Sequence, residues 1–380
     1  MDTVELVKKL IGFNTVSNES TQDISDFISN YLENYGFAIE RHCYDLKGVK
    51  KVNVIATKGG NNPRLALSGH MDTVPFDADK WNTDPLKLTQ MGDKYYGRGT
   101  CDMKGFLAIA MKAGSEIKSS ELKKPFSLVF TSDEEVGCIG AKKLVKDKGK
   151  IADMIVIGEP TELKPFTLHK GYMFVCVELF GKRGHSSQPK DGINVIELAL
   201  GSVLKKIEMF KKQLMSIQDD RLSPPFPTLN VGVITTGENS AKNIIADYCR
   251  LELDIRPVPG QDVSELFHTF SNFVTDSNEE KNGVRFKVSY GRSPTFPMET
   301  DKKSLLVREL EKISGEKAGF TSFNTEGGVF NSTGANSVIY GPGSIQQAHK
   351  VNEFVYKHYL SDENVKKYSS LIRTICEKNR

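Results

Sequence analysis

The chain has 380 residues, of which 38% are apolar; that is enough for a large buried core in more than one domain, and it excludes global disorder. Its 51 basic and 48 acidic side chains leave a net charge of +3, so no long-range field is set up to grip nucleic acid or an anionic membrane. No apolar run approaches the roughly 20 residues of a membrane span, and no secretory signal is expected, since no basic stretch leads into an apolar one at the start.

In chain order, helical spacing predicts helices over 3–13 and 24–35. Short, almost continuously apolar strands follow at 64–68, 126–131 and 154–157, with an Ala- and Met-rich helix over 104–118 between the first two. Such strands separated by helices predict a buried, mostly parallel sheet flanked by helices, an α/β domain. The pattern then changes. A strand at 172–180, a long helix at 194–210, strands at 228–234 and 245–255, a helix at 263–274 and a strand at 284–290 give a βα-ββ-αβ order, which suits a small α+β domain with an antiparallel sheet. After Ser293-Pro294 the α/β style returns, with a helix over 303–314, a strand at 337–340 and a last helix from 363. The expected organisation is therefore a catalytic domain in two parts, 1–172 and 291–380, with 173–290 inserted between them.

Six cysteines (43, 101, 138, 176, 249 and 376) are scattered without a CxxC pair, which fits neither a disulfide scaffold nor a zinc finger. A reducing, cytoplasmic setting is expected, and the N-x-[ST] matches at Asn18 and Asn331 read as chance. Lysine pairs such as Lys205-Lys206 are short and read as solvated helix faces, so neither a nucleic-acid nor a membrane partner is expected.

Ligands of an open parallel sheet bind beyond the carboxyl ends of its strands. Beyond 64–68 comes Gly69-His70-Met71-Asp72; beyond 126–131 comes Ser132-Asp133-Glu134-Glu135; beyond 154–157 comes Gly158-Glu159. The strand at 337–340 is followed by Gly341-Pro342-Gly343 and then His349, and Asp102 precedes the helix that opens near Lys104. Each has a plainer reading alone: a structural histidine, a helix N-cap at Asp102, a solvated Glu134-Glu135 pair. Together they form an oxygen and nitrogen set suited to Zn²⁺, Co²⁺ or Mn²⁺, and carboxylates gathered in one crevice repel unless cations hold them. Rival chemistries lack their signatures. There is no G-x-x-x-x-G-K-[ST], no H-E-x-x-H and no G-x-S-x-G, and the runs at Gly97 and Gly341 lack the third glycine of a dinucleotide loop.

Ser68-Gly-His-Met-Asp-Thr-Val-Pro75, Gly97-Arg-Gly-Thr-Cys-Asp-Met-Lys-Gly105, Asp133-Glu-Glu-Val-Gly137, Gly158-Glu-Pro-Thr161 and Gly184-His-Ser-Ser187 together resemble the M20 metallopeptidases. Within that family, Asn324-Thr-Glu-Gly327, Gly341-Pro-Gly-Ser-Ile345 and Gln347-Ala-His349 are most similar to the branch that deacetylates N2-acetyl-L-ornithine to L-ornithine and acetate in arginine synthesis. The resemblance implies two divalent ions, zinc first and cobalt or manganese as substitutes. His70, Asp102 and Glu159 would hold one ion, and Asp102, Glu135 and His349 the other. It gives Asp72 the task of orienting the His70 imidazole, Glu134 that of general base, and His185 that of stabilising the oxyanion. Asn243, Arg256, Thr325 and Glu326 are the implied substrate contacts. The plainer alternative for Arg256 is a structural arginine holding the turn at Pro257-Val-Pro-Gly260, and for His185 an ordinary exposed loop residue. A cis peptide after Asp102 and a homodimer formed and closed through the inserted domain are also implied. N-succinyl-diaminopimelate, another N-acyl amino acid or a dipeptide is the alternative substrate. Cys101, beside Asp102, is expected to be packed rather than a ligand.

Overall fold

Segments without polar alternation must be covered on both faces, and four of them form the middle of one sheet. A computed structural model describes residues 1–238, 240–275 and 282–377. The chain divides into two units: Met1–Leu168 with Met298–Phe320 and Thr325–Arg380, and His169–Pro297 with Thr321–Asn324.

The first unit carries a nine-stranded sheet in the order Ala38–Leu46, Val49–Lys58, Phe126–Thr131, Leu65–His70, Met154–Ile157, Asn336–Ile339, Phe166–His169 and Met298–Glu299, with Gly319–Thr321 also beside Phe166–His169. Phe126–Thr131, Leu65–His70, Met154–Ile157 and Asn336–Ile339 are mutually parallel. The sheet is thus mixed rather than parallel throughout: Ala38–Leu46 and Val49–Lys58 form an antiparallel hairpin against Phe126–Thr131, and Phe166–His169 runs antiparallel to Asn336–Ile339. The hairpin turns at Lys47 and Gly48, both at positive φ (55° and 82°), which suits the twist of a two-residue turn.

Strand alternation sorts the core into two layers. Leu65, Leu67, Leu128, Val156 and Val338 pack with Phe106 and Ile109 of the helix Lys104–Ser115 and with Tyr368 and Ile372 of the helix Asp362–Glu377. Ala66, Val129, Ile155, Ile157 and Ile339 face the other way, onto Ala141 and Leu144 of the helix Ile139–Lys148 and onto Phe330. The helix Thr3–Ile11 opens with a reciprocal capping box between Asp2 and Glu5.

The second unit is a four-stranded antiparallel sheet ordered Thr228–Thr236, Tyr248–Arg256, Tyr172–Phe180, Arg285–Thr295, with helices over its apolar face. This matches the βα-ββ-αβ reading. The long helix expected over 194–210 is instead three pieces: Val195–Leu198, one π-turn at Ala199–Val203 that includes Gly201, and Leu204–Leu214. A π-turn widens the winding by one residue without breaking the apolar stripe, so periodicity does not reveal it. No helix among the described residues is long and apolar enough to cross a membrane.

Candidate metal centre

Four parallel neighbours end at one edge of the sheet, and main-chain bonds extend the ladder one step beyond. Met71 N–H donates to Thr131 O at 2.8 Å, Gly158 N–H to Ser68 O at 2.9 Å, and Tyr340 N–H to Ile157 O at 2.8 Å. Asp72, Glu134, Glu135 and Glu159 are thereby delivered to one place. The close approach needs glycine: a Cβ on Gly158 would sit 2.0 Å from the Phe106 ring, and one on Gly341 would sit 2.1 Å from Gly158 O.

His70 is buried, and its Nδ1 lies 2.9 Å from the main-chain oxygen of Asp72. A carbonyl only accepts, so Nδ1 carries a proton; Nε2 donates to Asp102 and would offer its lone pair to a metal ion once its own proton leaves. Nε2 lies 3.0 Å from Asp102 Oδ1 and 3.7 Å from Glu159 Oε1. Asp102 Oδ2 lies 3.2 Å from His349 Nε2, which is also 3.0 Å from Glu135 Oε1. One Asp102 oxygen therefore faces each imidazole. Ligand atoms of His70, Asp102 and Glu135 lie within 4.8 Å of one another, and so do those of His70, Glu134 and Glu159. The peptide bond after Asp102 is cis.

Five carboxylates (Asp72, Asp102, Glu134, Glu135 and Glu159) converge on two imidazoles. Burial raises Glu134 to about 8, and Glu135 adds repulsion. Burial and then Asp102 raise Glu159 and Glu135 as well. Burial also opposes charge on Asp102, yet hydrogen bonds from His349 and His70 outweigh it and hold this carboxyl low. A centre whose acids mutually disfavour ionisation is one that divalent cations would stabilise, and the mixed N and O donors suit Zn²⁺, Co²⁺ or Mn²⁺. The donor set fits two such ions.

Two residues support the donors. Asp72 holds His70 Nδ1 through its main-chain carbonyl at 2.9 Å, with its nearer carboxylate oxygen 3.7 Å away. The carboxylate instead accepts the main-chain N–H groups of Glu134 (3.0 Å) and Glu135 (3.2 Å) and the Ser17 hydroxyl (3.0 Å). Glu353, which sequence reasoning missed, is buried beneath Asp102. Its carboxylate accepts from the Arg98 guanidinium (2.9 Å) and from the N–H groups of Gly99 (3.1 Å), Cys101 (2.8 Å) and Asp102 (3.0 Å). Nothing in Asn352-Glu353-Phe354 sets this glutamate apart from a surface acid. Cys101 is buried and donates to Ser344 O at 3.2 Å, a packed thiol as expected.

The implied substrate contacts are placed unevenly. Glu326 is 1% exposed, and its two oxygens accept from Ser68 and Thr131 hydroxyls at 2.6 Å each, so it offers no open carboxylate to a cationic substrate. Thr325 is fully buried, and its Oγ1 accepts from Gly327 N–H. In the second unit Arg256 forks onto Asp254 (2.7 and 2.9 Å) and lies over the Tyr172 ring; its partner is this strand neighbour and not the turn at Pro257. His185 and Asn243 are brought together: Gly184–His185 pairs with Ile244–Ile245, and Ser186 N–H donates to Asn243 O. His185 is exposed, with Nδ1 2.7 Å from the Ser187 hydroxyl.

Residues 66–378 match the description of peptidase family M20/M25/M40. The chain belongs to this family. It is a metal-dependent hydrolase, an M20 amidohydrolase. Among its relatives, the acetylornithine deacetylase of Myxococcus xanthus is 39% identical over 356 residues, covering 91% of this chain and 90% of the relative. That of Proteus mirabilis is 34% identical over 362 residues, covering 93% and 91%. An M20 family metallo-carboxypeptidase from Sulfolobus solfataricus shares the fold with a TM-score of 0.76 at 21% identity, covering 99% of both chains. A dinuclear metal-binding M20 peptidase from Bacillus subtilis does so with a TM-score of 0.68 at 14% identity, covering 99% of this chain and 98% of that one.

Proposed function

We propose that the chain hydrolyses N2-acetyl-L-ornithine to L-ornithine and acetate, a step of arginine synthesis. The observation that carries the hydrolytic reading is the Asp102 carboxylate, one oxygen turned to His70 and the other to His349. The substrate rests on relatives named acetylornithine deacetylase that align over nine-tenths of this chain. His70, Asp102 and Glu159 would hold one divalent ion, and Asp102, Glu135 and His349 the other, with zinc the first expectation. When bound, such ions supply a water acidified toward neutral pH and polarise the acyl carbonyl. Glu134 accepts the proton of the attacking water and hands it to the departing amine, a task that suits a carboxylate whose burial raises its basicity. His185 donates a hydrogen bond to the oxyanion.

Asn243 and Arg256 are retained as substrate contacts only on the resemblance, Arg256 on condition that substrate displaces Asp254. The same reading makes the chain a homodimer through its second unit. Among the described residues, Thr228–Thr236 is paired on one side only and exposes Val233 and Ile234, and Leu200 and Met209 are exposed on the nearby helical segment. A reducing, cytoplasmic setting is supported by six cysteines without a disulfide.

The deciding experiment removes metal with a chelator, reloads Zn²⁺, Co²⁺ or Mn²⁺, and measures kcat/KM. Acetylornithine, N-succinyl-diaminopimelate, other N-acyl amino acids and dipeptides are compared as substrates. Metal-dependent deacetylation with acetylornithine preferred is expected; preference for a succinyl substrate or a dipeptide overturns the substrate.

A further inference from the structure

The loop that carries Glu134 fixes its main chain from both sides. Its N–H donates to Asp72 Oδ1 at 3.0 Å, and its carbonyl accepts from the N–H groups of Gly137 and Cys138 at 2.8 Å each. None of this fixes the side chain, which still has three rotatable bonds before its carboxylate. The contact that does so comes from Cys138, whose Sγ lies 3.1 Å from Glu134 Oε1. Cys138 is 1% exposed and sits at φ 55°, immediately before the helix Ile139–Lys148. That helix is tied at its start by Ile139 N–H to Asp133 O (2.9 Å) and Gly140 N–H to Ser132 O (3.0 Å), so the thiol is held on a rigid base.

The chemistry of the donor matters. An ammonium or guanidinium at this distance would neutralise the carboxylate and lower its basicity. A hydroxyl would bind it more strongly. A thiol is a weak, neutral donor, and here burial and the nearby Glu134 charge keep it protonated. It restrains the rotation of the carboxylate without spending its charge.

We propose that Cys138 is a positioning residue for Glu134: its S–H donates to Oε1 and leaves the second oxygen free for proton transfer. This rests on Glu134 being the proton-transfer group of the hydrolysis proposed above.

Two measurements test it. The first needs no activity. The S–H stretching band lost in Cys138→Ala is identified in infrared difference spectra of the metal-loaded protein and followed in Glu134→Gln. A shift to higher frequency is expected as a carboxylate acceptor becomes an amide; an unmoved band overturns the contact. The second compares kcat and KM of Cys138→Ala and Cys138→Ser at equal metal content. The alanine variant is expected to lose roughly 5- to 20-fold in kcat with KM unchanged, and the serine variant, which keeps a donor, to recover to within about 3-fold of wild type. Equal kcat in the two variants overturns the positioning role and leaves packing alone. If wild type hydrolyses no N-acyl amino acid or dipeptide, the hydrolytic reading fails, while the infrared result still decides the contact.

Discussion

Around Glu134, the proposed base, some residues act on its charge and others on its geometry. Replacing Glu134 by alanine removes the base and none of the donors of the two proposed ion sites. Turnover is therefore expected to fall at least ~10²-fold, while metal analysis still finds about two ions per chain. Asp72→Asn turns an amide nitrogen toward the N–H of Glu134 or Glu135, each of which needs an acceptor. A loss of roughly 10- to 100-fold in metal affinity is expected by equilibrium dialysis. Away from the centre, His169 is fully buried, and burial lowers it from 6.5 to about 4, with Nδ1 2.7 Å from Lys170 O. The unfolded chain takes up this proton near pH 6.5 and the folded chain only near 4. Its contribution to stability is thus complete above pH 6.5 and declines as pH falls toward 4, by up to about 3 kcal/mol. Urea unfolding across that interval should show a smaller decline in His169→Gln than in wild type. The grouping of His70, Glu134, Glu135 and Glu159 was legible because they follow apolar strands directly. Glu353 and Cys138 were not, because a lone acid among apolar residues and a lone cysteine look the same whether they touch the centre or only fill space.

At the level of strands and helices, spacing was a good guide wherever a periodic face meets the core. The helix Val263–Val274 and the strand Tyr172–Phe180 fall where their apolar repeats end. The hairpin Ala38–Leu46 and Val49–Lys58 went unread because its first strand is largely exposed and lacks an apolar stripe. The strict elements are the crossings at the sheet's carboxyl edge. Gly158→Ala would force a methyl group against the Phe106 ring, where neither the strand end nor the packed helix can yield. A loss of about 1–3 kcal/mol is expected in chemical denaturation. Metal affinity should fall with it, since Glu159 is the next residue. A substitution at Gly149, where nothing lies within 4 Å, should leave metal binding unchanged, though its φ of 71° still disfavours a side chain.

For the molecule as a whole, metal content and stability should be linked. Ions that bind only the folded chain stabilise it by mass action, about 4 kcal/mol at a free concentration a thousandfold above Kd. Chelation should lower the melting temperature, and reloading should restore it, in calorimetry. The proposed dimer is tested by Val233→Lys combined with Ile234→Lys, which charges the unpaired edge. Light scattering should then give the mass of one chain, with the circular dichroism of the wild type retained. The apolar pattern changes from continuous to alternating near residue 172, a few residues after the second unit opens at His169; no composition change marks the end of the strand Phe166–His169 in the sequence.

The strand order at the centre of the large sheet has a consequence for how this protein is made. Met154–Ile157 lies beside Asn336–Ile339, although some 180 residues separate them along the chain. A polypeptide emerging from the ribosome therefore carries His70, Asp102, Glu134, Glu135 and Glu159 in the open long before His349 is translated. Those five residues lack the proposed sixth, His349, until synthesis is nearly over. Interrupted products that stop short of Asn336 would lack a central strand as well as the proposed ligand His349, and are expected to be open to a cell's proteases.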